Sequence, residues 1–296
     1  MAELVEQPLL MVGEGWDGYR LLDSGNGRKL ESFGPYRFIR PEPQAMWQPR
    51  QGDWQADGEF LPGADEDGGG RWEFATRLPE DGWPLSWNET RFTAQPTPFR
   101  HLQFFPDMAP VWEWMRDRLS EREDAETLNL FGYTGVGSLA LSRHGKVTHV
   151  DASKKSVAQA RENAVLSGME DKPIRWLVDD AGKFAAREVR RGNRYDGIIL
   201  DPPKFGRGPK NETWRLEEGL PGLIRDCRQL LDEGSSFLFL TVYAVRMSSL
   251  SIAGLLSEAL AALPGKIEHG DLAVRETGED GRILPTAIFA RWSNPR

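Results

Sequence analysis

Asp201-Pro202-Pro203-Lys204-Phe205 closes a short apolar run, 197–200, with an acid and two successive prolines. Proline fixes φ and has no N–H, so the pair makes a stiff turn whose carbonyls face outward without competing donors. Such a turn can grip an amine or the edge of a ring. Lys204 would meet a phosphate and Phe205 would stack on a planar group. Earlier in the chain, Phe131-Gly132-Tyr133-Thr134-Gly135 follows another apolar run and precedes a helix-forming stretch, 138–141. That is the layout of a strand feeding a tight turn into a helix. Small residues let the backbone approach a ligand, and the N–H groups of a first helical turn can receive a carboxylate or phosphate. Alone, a glycine-rich turn serves packing as often as binding.

Two further turns carry acids. Asp151-Ala152-Ser153 follows the apolar pair His149-Val150, and an acid at the end of a second strand can accept both hydroxyls of a ribose. Asp151 and Ser153 also stand where a helix cap belongs, ahead of 154–167. Asp179-Asp180-Ala181 follows Trp176-Leu177-Val178; an acid there can accept from an adenine amino group while Ala181 lines the ring, and capping is again the alternative.

Strands are expected at 127–131, 147–150, 174–178, 197–200 and 236–242, with a further one at 287–292, and helices fall between them. The helix over 154–167 places Val157, Ala160, Ala164 and Val165 on one face. A second helix carries Leu220, Leu223, Ile224, Cys227, Leu230 and Leu231 as an apolar stripe. Alternation of strand and helix with short turns predicts an α/β fold, a doubly wound, mainly parallel, Rossmann-like sheet, in which ligands bind beyond the carboxyl ends of the strands. The four turns then share one edge.

Composition changes near 94–98, which divides the chain into a small β-rich unit, 1–98, and the α/β unit, 99–296. Turn signals at Asp23-Ser24-Gly25-Asn26-Gly27, Gly34-Pro35 and Pro62-Gly63 separate the short strands of the first, and 64–70 reads as a loop tip. Eight of the eleven tryptophans precede residue 115, where large aromatics fill a core that a small sheet cannot otherwise build. Of the net charge of −8, residues 1–100 hold 10 bases and 17 acids, so the acidity belongs to the first unit. That disfavours tight nonspecific duplex binding and leaves room for a local basic patch.

One cysteine excludes a disulfide framework, and His101, His144, His149 and His269 show no metal spacing, so no metal is expected. Neither a membrane span nor a secretory leader is read, and a cytoplasmic location is expected. The basic run 187–194 reads as a solvated helix end or as part of a nucleic-acid-facing patch, and 104–108 either as a segment folding over a bound ligand or as the approach to a helix over 109–119 with Asp107 as cap.

NLFGYTGVGSLAL, HVDASKKSVAQARENA, DDAGKF and DPPKF together resemble the class I S-adenosylmethionine-dependent methyltransferases, and among them the bacterial 23S ribosomal RNA large-subunit group. The resemblance implies a sheet of about seven strands. It implies S-adenosyl-L-methionine as cofactor, with Gly132, Thr134 and Gly135 beside its methionine part, Asp151 at the ribose, Asp180 at the adenine, and Asp201-Pro202 at the transfer site. From the turns themselves, Phe131, Tyr133, Ala152, Ser153, Asp179 and Ala181 are expected to line the cofactor beside them, and Pro203, Lys204 and Phe205 to complete the catalytic corner. It further implies an RNA substrate. Relatives that methylate cytosine C5 carry a nucleophilic cysteine after the fifth strand; here Leu240-Thr241-Val242-Tyr243-Ala244 stands there, with Tyr243 near the cysteine's place. Without that nucleophile, methylation of a nitrogen is expected rather than covalent activation of a ring carbon. Protein or small-molecule acceptors, a nicotinamide-dependent dehydrogenase and a binding module without turnover are the alternatives. The dehydrogenase would share the glycine turn but has no use for the acid and two prolines.

Overall fold

The computed structural model describes residues 1–63, 69–243 and 245–294. Residues 64–68 of the expected loop tip, and Ala244, lie outside the described residues, while Gly70 opens the strand Gly70–Phe74. The chain forms two compact units: Met1–Met11 with Val111–Leu272 and Ala287–Arg296, and Val12–Pro110 with Ala273–Thr286. The expectation treated the units as consecutive, 1–98 and 99–296. The compact units instead interleave, each taking a piece from the far end of the chain.

The strands used below are β1 (Ala125–Leu130), β2 (Gly145–Asp151), β3 (Ile174–Val178), β4 (Gly197–Leu200), β5 (Phe237–Tyr243), β6 (Gly265–Arg275) and β7 (Ile283–Ser293). Among the described residues they join Ala2–Leu4 and Leu9–Gly13 in one nine-stranded sheet. Its order runs Ala2–Leu4, β6, β7, β5, β4, β1, β2, β3, with Leu9–Gly13 also paired to β6. Pairs β1–β2, β1–β4, β2–β3 and β4–β5 are parallel and β5–β7 is antiparallel. The seven-stranded, mainly parallel sheet is therefore present, extended by two N-terminal strands that the sequence reading had assigned to the small unit.

Six helices, α1 (Ala109–Arg118), α2 (Val136–Leu141), α3 (Lys154–Leu166), α4 (Ala181–Arg191), α5 (Leu216–Gln229) and α6 (Ser249–Leu260), lie among these strands. Alternation along the strands sorts side chains to two faces. Leu128, Leu130, Val150, Ile198 and Leu200 pack with the buried faces of α4, α5 and α6. Leu139 of α2 and Ala164 of α3 pack with Ile174 and Trp176. Covered on both faces, β4 is buried at every position, as an internal parallel strand must be. The expected strands 174–178 and 197–200 match β3 and β4 residue for residue. Val165 departs from expectation: it is 63% exposed, because the stripe that faces the sheet is Val157, Ala160 and Ala164.

The smaller unit holds a five-stranded sheet, Tyr19–Gly25, Arg28–Phe33, Tyr36–Pro41, Gly58–Pro62 and Gly70–Phe74, and the hairpin Trp83–Trp87/Thr90–Ala94. Asn26 and Gly27, with φ of 53° and 72°, make the first turn, the two-positive-φ arrangement that matches strand twist. Segment 273–286 belongs here because Arg282 donates to Asp23 at 2.6 Å and to Glu276 at 2.8 Å, while Ser24 donates to Glu276 at 2.5 Å. Asp107 is buried inside a short 3-10 turn, Pro106–Met108, that runs into α1, rather than standing ahead of the helix as its cap. No helix among the described residues is long and apolar enough to cross a membrane.

Candidate active site

Parallel strands β1, β2, β3 and β4 end at one edge, so the turns that follow them are neighbours by construction. The first turn is bent hard: Phe131 and Tyr133 have φ of 60° and 50°, and Gly135 has φ of 82°. Bulky residues in the left-handed region cost of order 1 kcal/mol or more each, so the surroundings must hold them there. A Cβ on Gly132 would lie 2.5 Å from the His149 ring, and one on Gly135 would lie 2.8 Å from Ala160 Cβ and 3.0 Å from Trp176. Both glycines are required by close approach from behind. Asn163 of α3 donates to the Thr134 carbonyl at 2.9 Å, and Thr134 itself is buried.

Asp151 ties the first turn to the second. Its Oδ2 accepts from the Tyr133 N–H at 2.9 Å and its Oδ1 from the Ser153 N–H at 2.8 Å. Burial raises its pKa, with the two N–H bonds opposing the shift. Ser153, not Asp151, caps α3, its hydroxyl accepting from Ser156 N–H at 3.1 Å. Ala152 is half-buried between them. Backbone continues the link, with Asp179 N–H donating to the Asp151 carbonyl at 3.0 Å.

In the third turn Asp180 caps α4 through Oδ1 to Lys183 N–H at 2.8 Å. Asp179 is spent on Arg187, which is thereby withdrawn from the basic run that read as a solvated helix end. Ala181 is buried with Phe184 in the apolar cluster.

The acid-proline corner connects to the first turn through a residue the sequence reading passed over. After Pro203 the chain forms a hairpin, Phe205–Arg207 against Thr213–Arg215, and the half-buried Trp214 lies on its inner side. The Trp214 indole N–H donates to the Pro203 carbonyl at 2.7 Å, and its ring sits 5.1 Å from that of Phe131. A Cβ on Gly219 would lie 2.6 Å from the indole, so α5 is cut away to admit it. The expectation that both proline carbonyls lack a competing donor is corrected: Pro203's is taken. Asp201 is half-buried, Pro202 buried, and Pro203, Lys204 and Phe205 exposed. A lone tryptophan in the polar stretch NETWRLEEG, across a Gly-Pro turn from Phe205, was the available signal.

His149 was read as structural, and its surroundings give it a definite place. It is fully buried behind the first turn, hydrogen-bonded through Nδ1 to Ser138 Oγ at 2.9 Å, which Asn129 also reaches at 2.9 Å. Burial pushes its pKa down to about 3, so it is neutral at physiological pH. Burial likewise pushes the Tyr133 hydroxyl up to about 12. Cys227 is fully buried on α5 and its thiol pKa is raised by that burial, the state of an inert core thiol. No group of three or more His, Cys, Asp or Glu among the described residues could hold a metal ion.

A glycine turn, a carboxylate after β2, a capped acid after β3 and an acid-proline corner after β4 share one edge of a mainly parallel sheet, the edge at which Rossmann-type sheets hold nucleotide-type cofactors. Residues 108–216 match the family described as Conserved hypothetical protein 95. The crystal structure of the SAM-dependent methyltransferase from Agrobacterium tumefaciens is 42% identical, with a TM-score of 0.92 over 99% of this chain and 95% of that one. The chain belongs to the S-adenosylmethionine-dependent methyltransferases, which are enzymes. The structure of SMU.776 complexed with SAH shares the fold at 16% identity, with a TM-score of 0.68 over 93% of this chain and 75% of that one. Among curated relatives, ribosomal RNA large subunit methyltransferase K/L of Pseudoalteromonas atlantica is 29% identical over 51% of this chain and 21% of its own length. Ribosomal RNA large subunit methyltransferase I of Alteromonas mediterranea is 43% identical over 28% and 21%. The chain thus spans about a fifth of the length of these two relatives.

Proposed function

We propose that this protein transfers a methyl group from S-adenosyl-L-methionine to a nitrogen of an RNA base, with ribosomal RNA as the substrate. The observation that carries the reading is the tie between the acid-proline corner and the glycine turn, made by Trp214 through the Pro203 carbonyl and the Phe131 ring. A methyl donor and an acceptor held by those two turns would be held by one rigid piece.

The residues fit the cofactor. Asp151 presents a carboxylate whose oxygens accept one backbone N–H each and retain lone pairs for ribose hydroxyls. Asp180 caps α4 through Oδ1, which leaves Oδ2 as an acceptor for an adenine amino group. Phe131 to Gly135 would take the methionine part. When bound, the cofactor supplies an electrophilic methyl on a sulfonium. The protein's own share is placement: holding nitrogen and methyl at about 3–3.5 Å can account for roughly 7–11 kcal/mol of the barrier. Asp201 orients the nitrogen and accepts its proton, while Pro202 and Pro203 keep that acid from swinging. Phe205 and Tyr243 flank the acceptor.

The names of the relatives support RNA as acceptor, and the absence of a cysteine at Tyr243, with Cys227 buried, supports nitrogen over cytosine C5. A ribosomal RNA substrate puts the work in the cytoplasm. The smaller unit would help hold the RNA. The test is transfer of tritiated methyl to undermethylated large-subunit ribosomal RNA, with Asp201→Ala as control. Label in RNA that disappears in the variant supports the reading; label in protein alone, or none with cofactor bound, refutes it. Mass mapping of modified nucleosides in a strain lacking the protein would then name the atom.

A further inference from the structure

We propose that the hairpin following the acid-proline corner is the surface on which a single-stranded stretch of the RNA acceptor lies, its phosphates against the hairpin's outer cations. This rests on the reading of RNA as substrate.

The register pairs Phe205 with Arg215, Gly206 with Trp214 and Arg207 with Thr213. Side chains alternate across a hairpin, so Gly206 and Trp214 share the inner face while Phe205, Arg207, Thr213 and Arg215 share the outer one. Burial agrees: Trp214 is half-buried, and all four outer residues are exposed. Lys204 leads into the hairpin and Lys210 stands at its tip, both exposed. Within 203–215 there are four cations and one acid, a net charge of +3 in a chain whose total is −8.

That lone acid does not neutralise the outer face. Glu212 bonds Lys183 of α4 at 2.6 Å and accepts the Lys210 N–H at 2.7 Å, contacts that hold it near a pKa of about 2. Arg215 lies 3.5 Å from Glu218 with both side chains more than half exposed, a pair that water largely screens. Lys204, Arg207 and Lys210 form no ion pair among the described residues. Cations also protect short edge strands from pairing with other chains, and that would explain Arg207 and Arg215. It does not explain Phe205, 54% exposed on the same face and four residues along the chain from Asp201. An aromatic ring flanked by cations suits an unpaired base with its phosphates, the combination that single-strand binders use.

The test compares three full-length proteins: wild type, the triple variant Arg207→Gln/Lys210→Gln/Arg215→Gln, and the charge-retaining Arg207→Lys/Lys210→Arg/Arg215→Lys. Each is titrated with a labelled 20-nucleotide single-stranded RNA across a range of KCl, with S-adenosylmethionine affinity measured by calorimetry. Neutralisation should weaken RNA binding about tenfold near 0.1 M salt and flatten the log–log salt slope by about 2, at roughly 0.7 per lost phosphate contact. Cofactor affinity should stay put, and the charge-retaining variant should return most of the RNA affinity. If wild type binds RNA and the triple variant does so with the same affinity and slope, the hairpin surface is overturned and the RNA reading stands. Failure of the charge-retaining variant to restore binding also overturns it. If wild type binds cofactor but no RNA, both fall.

Discussion

The two units solve opposite problems with polar groups. In the sheet unit, the polar side chains that tie the site together, Asp151, Asn163 and Trp214, hold one turn to the next, and the cluster packed beneath α4, α5 and α6 is apolar. In the β-rich unit, charge sits in the middle. Glu31 and Arg40 are buried and paired at 2.6 Å, with Tyr19 donating its hydroxyl to Glu31 at 2.8 Å. Burial alone would raise the Glu31 carboxyl, but Arg40 and Lys29 outweigh it and hold its pKa at about 2. Rings of Phe33, Phe38 and Trp83 fill the space around them. A small sheet lacks the volume for an aliphatic core, so aromatics and buried, satisfied ion pairs stand in for it. Removing a polar group should therefore cost activity in one unit and stability in the other.

Asp201→Ala should give the largest split. On the proposed role, loss of a positioned proton acceptor should lower turnover by about 10²–10⁴-fold, while a half-buried residue at a strand end should leave the unfolding free energy within about 1 kcal/mol of wild type. Single-turnover methylation beside urea unfolding measures both. Equal losses in rate and stability would break the contrast.

Arg40→Met inverts the pattern. It strands Glu31 without its partner in a fully buried position, which costs about 3–5 kcal/mol. Cofactor affinity per folded molecule should be unchanged. A double replacement, Glu31→Leu/Arg40→Met, should recover much of the loss, because an apolar pair of similar volume carries no unpaired charge.

Trp214→Phe sharpens the comparison within the sheet unit. It keeps a ring for Phe131 and deletes the N–H that holds the Pro203 carbonyl, a bond worth about 0.5–1.5 kcal/mol. Turnover should fall roughly three- to tenfold with the Michaelis constant for S-adenosylmethionine little changed. Trp214→Leu, which loses the ring as well, should raise that constant too. A drop confined to stability would assign the indole to packing alone.

How much of this was legible follows the same division. Strands β3 and β4 could be read to the residue because buried parallel strands are short apolar runs bounded by turn residues. All four turns were found, since acids, glycines and prolines at strand ends announce themselves. Trp214 was not, because its role depends on a hairpin that brings it back under Pro203; a lone tryptophan in the polar run NETWR signals a ring that packs, but not what it packs against. The interleaving of the units was equally hidden: Arg282 and Asp23 lie 259 residues apart, and their pairing is a fact of tertiary structure only. Val165 went the other way, an apolar residue at helical spacing that the surface accepts.

Acid should expose the contrast once more, with the smallest effect. His149 is buried among Ser138, Trp176 and the Gly132 turn and holds its neutral form down to about pH 3, against an ordinary value of 6.5. As pH falls below 6.5 the unfolded chain gains a proton that the folded one refuses, so stability drops by up to about 1.4 kcal/mol per pH unit for each such histidine. His101 in the β-rich unit behaves alike, held near 3 by burial and then by Arg40 and Arg100. Glu31 runs on a lower window: its contribution is intact above about 4.5 and is lost progressively as pH falls from there to about 2. Between pH 6.5 and 5, then, the slope belongs to the histidines, and below 4.5 Glu31 joins them. Urea unfolding of wild type and His149→Gln across that upper range should show a shallower slope in the variant, whatever its stability at pH 7. An unchanged slope would mean that the ring behind the glycine turn already takes a proton in the folded protein, and that the turn is looser than its glycines imply.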